Sequence, residues 1–178
     1  MKNRDNVVLV DQDDNPIAVM DKIEAHEKGL LHRAFSVFLF NEKGEMLIHQ
    51  RAGQKYHGAG LWTNACCSHP QWDEDILESA LDRLYFEMGI RCEIEKAFSF
   101  IYNTHVENNL IEHELDHVFI GYTNVDPVPN PEEVESFKWI DIPTLTQQMK
   151  DQPDEFTFWF RTALPKVLEQ MNDYSLGN

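Results

Sequence analysis

The chain has 178 residues, 42% hydrophobic and 26% charged, with a formal net charge of −16, a mix that fits one globular domain over residues 1–178. No apolar run approaches the roughly 20 residues of a membrane-spanning helix, and Met1-Lys2-Asn3-Arg4-Asp5-Asn6 has no apolar stretch behind its charges, so neither a membrane partner nor a signal peptide is expected. The acidic balance excludes general nucleic-acid binding and obliges any site for an anion to rest on local Lys and Arg, or on divalent metal.

In chain order, Val7–Val10 and Ile17–Met20 flank Asp13-Asp14-Asn15-Pro16 and predict a hairpin. A short helical or irregular segment carries His26 and ends near Gly29. Phe35–Phe40 and Met46–Gln50 read as strands joined by Asn41-Glu42-Lys43-Gly44, and Gln54–Gly60 as a loop leading to a strand at Cys67. Between Glu74 and Met88, Ile76, Leu77, Ala80, Leu81, Leu84 and Met88 form one stripe at helical spacing, closed by Gly89. Arg83 and Glu87 share an edge of that stripe as an i,i+4 pair. Strands are predicted at 93–102, 112–122 and 133–140, the last two separated at Asn130-Pro131, then helices over Ile142–Lys150 and Glu155–Met171. Pro165 is expected to kink or bound the final helix. Strands outnumber helices in mixed order, which predicts an α+β sandwich instead of a doubly wound sheet.

Alternate residues of a strand share a face, so Cys67 and His69 point together, as do Glu112 and Glu114, while Cys66 faces away. With His26 and His32, these residues make a donor set of three imidazoles and two carboxylates. Such a set suits Mg²⁺, Mn²⁺, Zn²⁺ or Fe²⁺ and does not choose among them. His49, His57, His105, His113 and His117 are assigned to solvent or loops. Neighbouring Cys66 and Cys67 and a lone Cys92 form no disulfide framework, so reduced thiols and a cytoplasmic setting are expected. A thiol beside metal-bound imidazole can trade protons or act as a nucleophile, which leaves a cysteine hydrolase open.

Leu31-His32-Arg33-Ala34-Phe35, Trp62–Pro70 around Cys67 and Glu112-His113-Glu114 resemble the type 1 isopentenyl-diphosphate isomerases, whose fold is that of the Nudix hydrolases. The likeness runs from about Val7 to Leu168 and implies a Nudix-like α/β/α sandwich with a mixed central sheet. It implies His26, His32, His69, Glu112 and Glu114 as ligands of an octahedral Mn²⁺, Zn²⁺ or Mg²⁺. Cys67 and Glu114 become the proton-transfer groups, on opposite sides of the substrate, with Tyr102 hydrogen-bonded to the carboxylate and Trp159 facing a carbocation. Lys22, Arg51, Lys55, Ser68 and Arg83 match diphosphate-binding positions, and Glu87 would help hold a second ion, Mg²⁺.

The stretch from Ser68 to Ile90 aligns with the Nudix box but departs from it. Ser68 replaces the first Gly, Asp82-Arg83 replaces Arg-Glu, and Phe86 replaces the first Glu of the closing pair, leaving Glu74, Glu87, Gly89 and Ile90. A hydrolase needs several carboxylates there to hold metal and activate water. The implied activity is therefore interconversion of isopentenyl and dimethylallyl diphosphate by a monomer or weak homodimer. A Nudix hydrolase and a binding module with a dead site are the alternatives.

Overall fold

The computed structural model describes residues 4–176 except Tyr56, and side chains up to Met171; Met1, Lys2 and Asn3 of the N-terminal segment lie outside the described residues. The strands are β1 (Asn6–Val10), β2 (Pro16–Asp21), β3 (His32–Phe40), β4 (Met46–Arg51), β5 (Trp62–Thr63), β6 (Cys66–Ser68), β7 (Ile94–His105), β8 (Ile111–Tyr122) and β9 (Val134–Ile140). The helices are α1 (Lys22–Lys28), α2 (Ile76–Met88), α3 (Ile142–Asp151) and α4 (Phe158–Leu176). β3 is the hub. Along one edge it pairs parallel with β8, His32 opposite Glu114 through to Phe40 opposite Tyr122. Along the other it meets β1 at Leu9, β6 at Cys66–Ser68 and β4 at Met46, all antiparallel.

Side-chain alternation along β3 divides the core into two layers. Phe35, Val37 and Leu39 pack with Ala80, Leu84 and Met88 of α2. Phe38 and Phe40 pack with Phe160, Ala163, Leu164 and Val167 of α4. A helix thus covers each face of a mixed sheet, the α/β/α sandwich that the sequence implied. Cys66 lies in the α2 layer, whereas Cys67 packs against the α4 layer, so the strand parity holds.

Boundaries moved where caps or tertiary pairing decide them. β3 starts at His32 instead of Phe35 because its parallel partner extends that far. α2 starts at Ile76, since the Asp75 carboxylate accepts from the Glu78 N–H. Pro165 lies inside α4 and does not bound it, and a separate 3-10 turn occupies Pro153–Glu155.

Gly89 closes α2 at φ +67. The Val128 N–H donates to Met88 O and the Asn130 N–H to Glu87 O, both at 2.8 Å, drawing the 126–130 segment against the helix end. A Cβ on Gly89 would lie 2.8 Å from Val128 O. Gly89→Ala combines a left-handed backbone with a clash and should cost about 1–3 kcal/mol. Thermal melting should show a clear fall in Tm; an unchanged Tm would mean that the 126–130 segment yields freely.

Candidate active site

Four elements deliver the His and Glu side chains. Asp21 caps α1 and Gly29 ends it at φ 62, so the short helix presents His26 inward. His32 opens β3, His69 follows β6, and β8 carries Glu112 and Glu114. His26 Nδ1 donates to Lys22 O at 2.7 Å and His32 Nδ1 to Leu30 O at 2.8 Å. A carbonyl only accepts, so each Nδ1 carries the hydrogen and each Nε2 presents a lone pair. Those lone pairs face Glu114 Oε1, at 3.9 Å from His26 and 3.4 Å from His32, while His69 Nε2 lies 2.9 Å away. Lone pairs aimed at a carboxylate oxygen repel unless a cation sits among them. This donor set therefore fits a divalent ion, and His26, His32, His69 and Glu114 have ligand atoms all within 4.8 Å of one another.

The two carboxylates are pushed apart electrostatically. Burial raises both, but for Glu114 it is outweighed where His32 and His69 offer a hydrogen to its oxygen, which holds it well below the usual carboxylate range; a cation among lone pairs acts in the same direction. Glu112 goes well above that range, through burial and then the charge of Glu114. The Tyr102 hydroxyl donates to Glu114 Oε2 at 2.7 Å, and burial followed by the Glu112 and Glu114 charges raises its pKa. Burial pushes the His69 pKa down to about 4, leaving a neutral imidazole able to ligate.

Cys67 opens onto the same cleft. Burial pushes its thiol up to about 12, with Glu87, Asp116 and Glu114 adding to the rise and Arg51 opposing it. At neutral pH it is a protonated thiol. The basic end of the cleft gathers Lys22, Arg51, Lys55 and Arg83 beside Ser68. Burial lowers the pKa of Lys22 and Lys55, and in both cases Arg51 and Arg83 lower it further, the mark of cations crowded together. A register shift between Gln50 and Arg51 at the β4–β9 pairing re-aims the end of β4, where Arg51 sits. Gly58, at φ +59, lets Arg51 pass, since a Cβ there would lie 3.3 Å from its Nε.

Trp159 stands in the first turn of α4. Its Nε1 donates to Asn64 Oδ1 at 3.2 Å, and the Arg51 guanidinium lies 5.2 Å from its ring centre. The segment before it is fixed by Thr157 N–H to Trp62 O at 3.0 Å. Phe156 and Phe160 are core residues, whereas Trp159 reaches the cleft wall.

Eleven of the predicted positions line this one cleft: Lys22, Arg51, Lys55, Cys67, Ser68 and His69, then Arg83, Glu87, Glu112, Glu114 and Trp159. His26, His32 and Tyr102 stand behind the wall, each facing Glu114. Glu112 falls in a second group, with His57 and with His26, which the two groups share.

The assignment of His49 and His117 to solvent or loops is wrong, and His57, although it lies in the loop between β4 and β5, is not in solvent. They are 2%, 6% and 2% exposed, on β4, at the cleft and on β8, while His105 alone of the five is exposed. Glu133, which pairs with Lys55 and lies 3.5 Å from Arg83, was not singled out, nor was Arg4, which bonds His69 O at 2.9 Å. Buried Asp116 was also missed, although the Glu112-x-Glu114-x-Asp116 alternation points to it. It accepts from Ser36 Oγ at 2.8 Å and is pushed up to about 8 by burial and then by Glu114.

The NUDIX domain family model matches residues 30–160. An isopentenyl-diphosphate Delta-isomerase of Pectobacterium atrosepticum is 48% identical over 90% of this chain and 90% of its own length. An isopentenyl-diphosphate Delta-isomerase 2 of Aromatoleum aromaticum is 44% identical over 92% of this chain and 87% of its own. Among solved structures, a Deinococcus radiodurans protein superposes with a TM-score of 0.68 at 15% identity, covering 83% of this chain and 90% of that one. A Burkholderia pseudomallei MutT NUDIX hydrolase gives 0.54 at 20% identity, covering 77% and 98%. A NUDIX scaffold, a cleft with thiol, cationic and His/Glu walls, and these identities lead to one conclusion: the chain belongs to the isopentenyl-diphosphate Delta-isomerase family within the NUDIX fold.

Proposed function

We propose that the protein interconverts isopentenyl and dimethylallyl diphosphate. The observation that carries this reading is the meeting, in one cleft, of the Cys67 thiol, the Glu114 carboxylate and a cluster of four cations. Protonation of the terminal alkene carbon gives a tertiary carbocation, and loss of a proton from the neighbouring carbon leaves the internal alkene, with no net change in atoms or charge. Cys67 and Glu114 are the proton-transfer groups. An unactivated alkene is a poor base, so the acid must be close and shielded from bulk water. Glu114 and Tyr102 are buried and Cys67 is half-buried, which supplies that shielding.

Lys22, Arg51, Lys55, Arg83 and the Ser68 hydroxyl bind the diphosphate, Arg as a planar fork and Lys as a point charge. His26, His32, His69, Glu112 and Glu114 would hold a divalent ion, which supplies fixed positive charge beside the catalytic carboxylate. Glu87 would take part in holding Mg²⁺ against the diphosphate oxygens. The hydrolase alternative loses ground on geometry: of α2, Arg83 and Glu87 line the cleft, Asp82 is exposed, and Phe86 lies under the Arg83 guanidinium, 4.8 Å from ring centre to Cζ. Incubation with isopentenyl diphosphate and Mg²⁺ separates the readings by product: the isomer, free phosphate, or nothing.

Three outcomes are expected. Cys67→Ala and Cys67→Ser fold normally and lose nearly all isomerisation, whereas Cys66→Ala, altered in the α2 layer, stays active. Comparable loss in Cys66→Ala with an intact circular dichroism spectrum would reverse the roles of the thiols.

Chelation of the tightly held ion abolishes turnover, and His69→Ala or Glu112→Gln lowers metal content after dialysis. Unchanged content in His69→Ala would remove that residue from the cage.

Trp159→Phe keeps part of the activity and Trp159→Leu much less, with the loss in kcat more than in KM, because the ring's π-face stabilises a cation that the ground state lacks. Both variants lose the hydrogen bond to Asn64, so their comparison isolates the ring, worth on the order of 2 kcal/mol when desolvated. Equal kcat values would place Trp159 in the core alone.

A further inference from the structure

Glu112 and Glu114 occupy equivalent strand positions but differ in what holds them. Glu114 has His69 at 2.9 Å and the Tyr102 hydroxyl at 2.7 Å. Tyr102 has one hydroxyl hydrogen, and its distance to Glu112 Oε2 is 3.5 Å, so its bond is committed to Glu114. The short polar contact of Glu112 is with His57, whose Nε2 lies 3.2 Å from Oε1. His57 is 6% exposed and Glu112 1%, so the contact is dry.

The backbone fixes where this imidazole points. Arg51 Nη2 donates to His57 O at 3.0 Å, and the Gly58 N–H donates to Glu107 Oε2 at 3.2 Å, tethering the loop at consecutive residues. The ring stands perpendicular to Trp159 at 5.9 Å between centres and 5.8 Å from the ring of His26. The ligand atoms of His26, His57 and Glu112 lie within 4.8 Å of one another.

We propose that His57 is the positioning residue of Glu112: its Nε2–H donates to Oε1 and fixes the orientation of the carboxylate beside His26, so that His57 sets the affinity of the site for its divalent ion. This rests on the metal-holding role given to Glu112 above. Carboxylate ligands need an outer partner to fix their orientation, and losing one typically weakens metal binding about 10–100-fold. Through its edge contact with Trp159, His57 also couples the cage to the aromatic wall.

The test titrates metal-free full-length protein with Co²⁺ and follows the visible absorption of the bound ion. His57→Ala should weaken Co²⁺ binding about 10–100-fold while the saturated spectrum keeps the wild-type band positions, because the ligand set is unchanged. His57→Gln, which keeps an N–H donor, should recover most of the affinity, and excess metal should restore kcat in His57→Ala. Equal affinity in wild type and His57→Ala overturns the proposal. So does a shifted saturated spectrum in His57→Ala, which would make His57 itself a ligand. Failure of His57→Gln to recover affinity, at an unchanged Tm, also counts against it. If the wild type takes up no Co²⁺, the metal role of Glu112 falls first and this inference with it, an outcome distinct from the other three.

Discussion

Parallel pairing of β3 with β8 is the constraint on which the site depends. The register sets His32 opposite Glu114 and Ala34 opposite Asp116, and alternation puts all four on the face that α4 covers. Further along the same face the residues become Phe38, Phe40 and Val118, part of the α4 core. One end of the strand pair is therefore a hydrophobic floor and the other a polar socket. A slip of one residue would exchange His32 for Arg33 in the socket and send Phe38 out of the core. The fold cannot lose the site without losing its packing.

That rigidity lets unfavourable electrostatics persist. Glu112, Glu114 and Asp116 are all nearly inaccessible, and two of the three are pushed towards protonation. Burying such groups costs several kcal/mol each when they are unpaired. The backbone carbonyls of Lys22 and Leu30 enforce one tautomer on His26 and His32, keeping the nitrogen lone pairs aimed inward. The same dry surroundings keep the Cys67 proton on sulfur. Strain at the centre is carried by apolar layers on both sides of the sheet.

Much of this was legible in the sequence because it is periodic. Two-residue spacing placed Cys67 with His69 and Glu112 with Glu114, and the helical stripe gave α2 together with its Arg83–Glu87 edge. What stayed hidden depends on long-range contacts. His57 sits in a loop without periodicity and is buried by tethers from Arg51 and Glu107. Glu133 precedes β9 and meets Lys55 only because β9 pairs with β4. His49 is buried by β5 on one side and β9 on the other, pairings that no local pattern announces. The departures from the Nudix box agree with a helix of which only Arg83 and Glu87 line the cleft.

Glu133 and Glu87 give the cationic end of the cleft an ion-exchange character. Lys55 is already paired with Glu133, and Arg83 with both acids. In the proposed diphosphate site, an anion reaching Lys55 and Arg83 would have to displace tethered carboxylates. Such competitors stay a few ångströms away at an effective concentration that dilution cannot lower. Occupancy is thereby tempered, since the outgoing anion always leaves against a partner ready to replace it. Groups carrying more charge than a single carboxylate are favoured in the exchange, and a singly charged ion gains little. In a chain of net charge −16, such local exchange would let the proposed anion site coexist with a surface that repels anions at longer range.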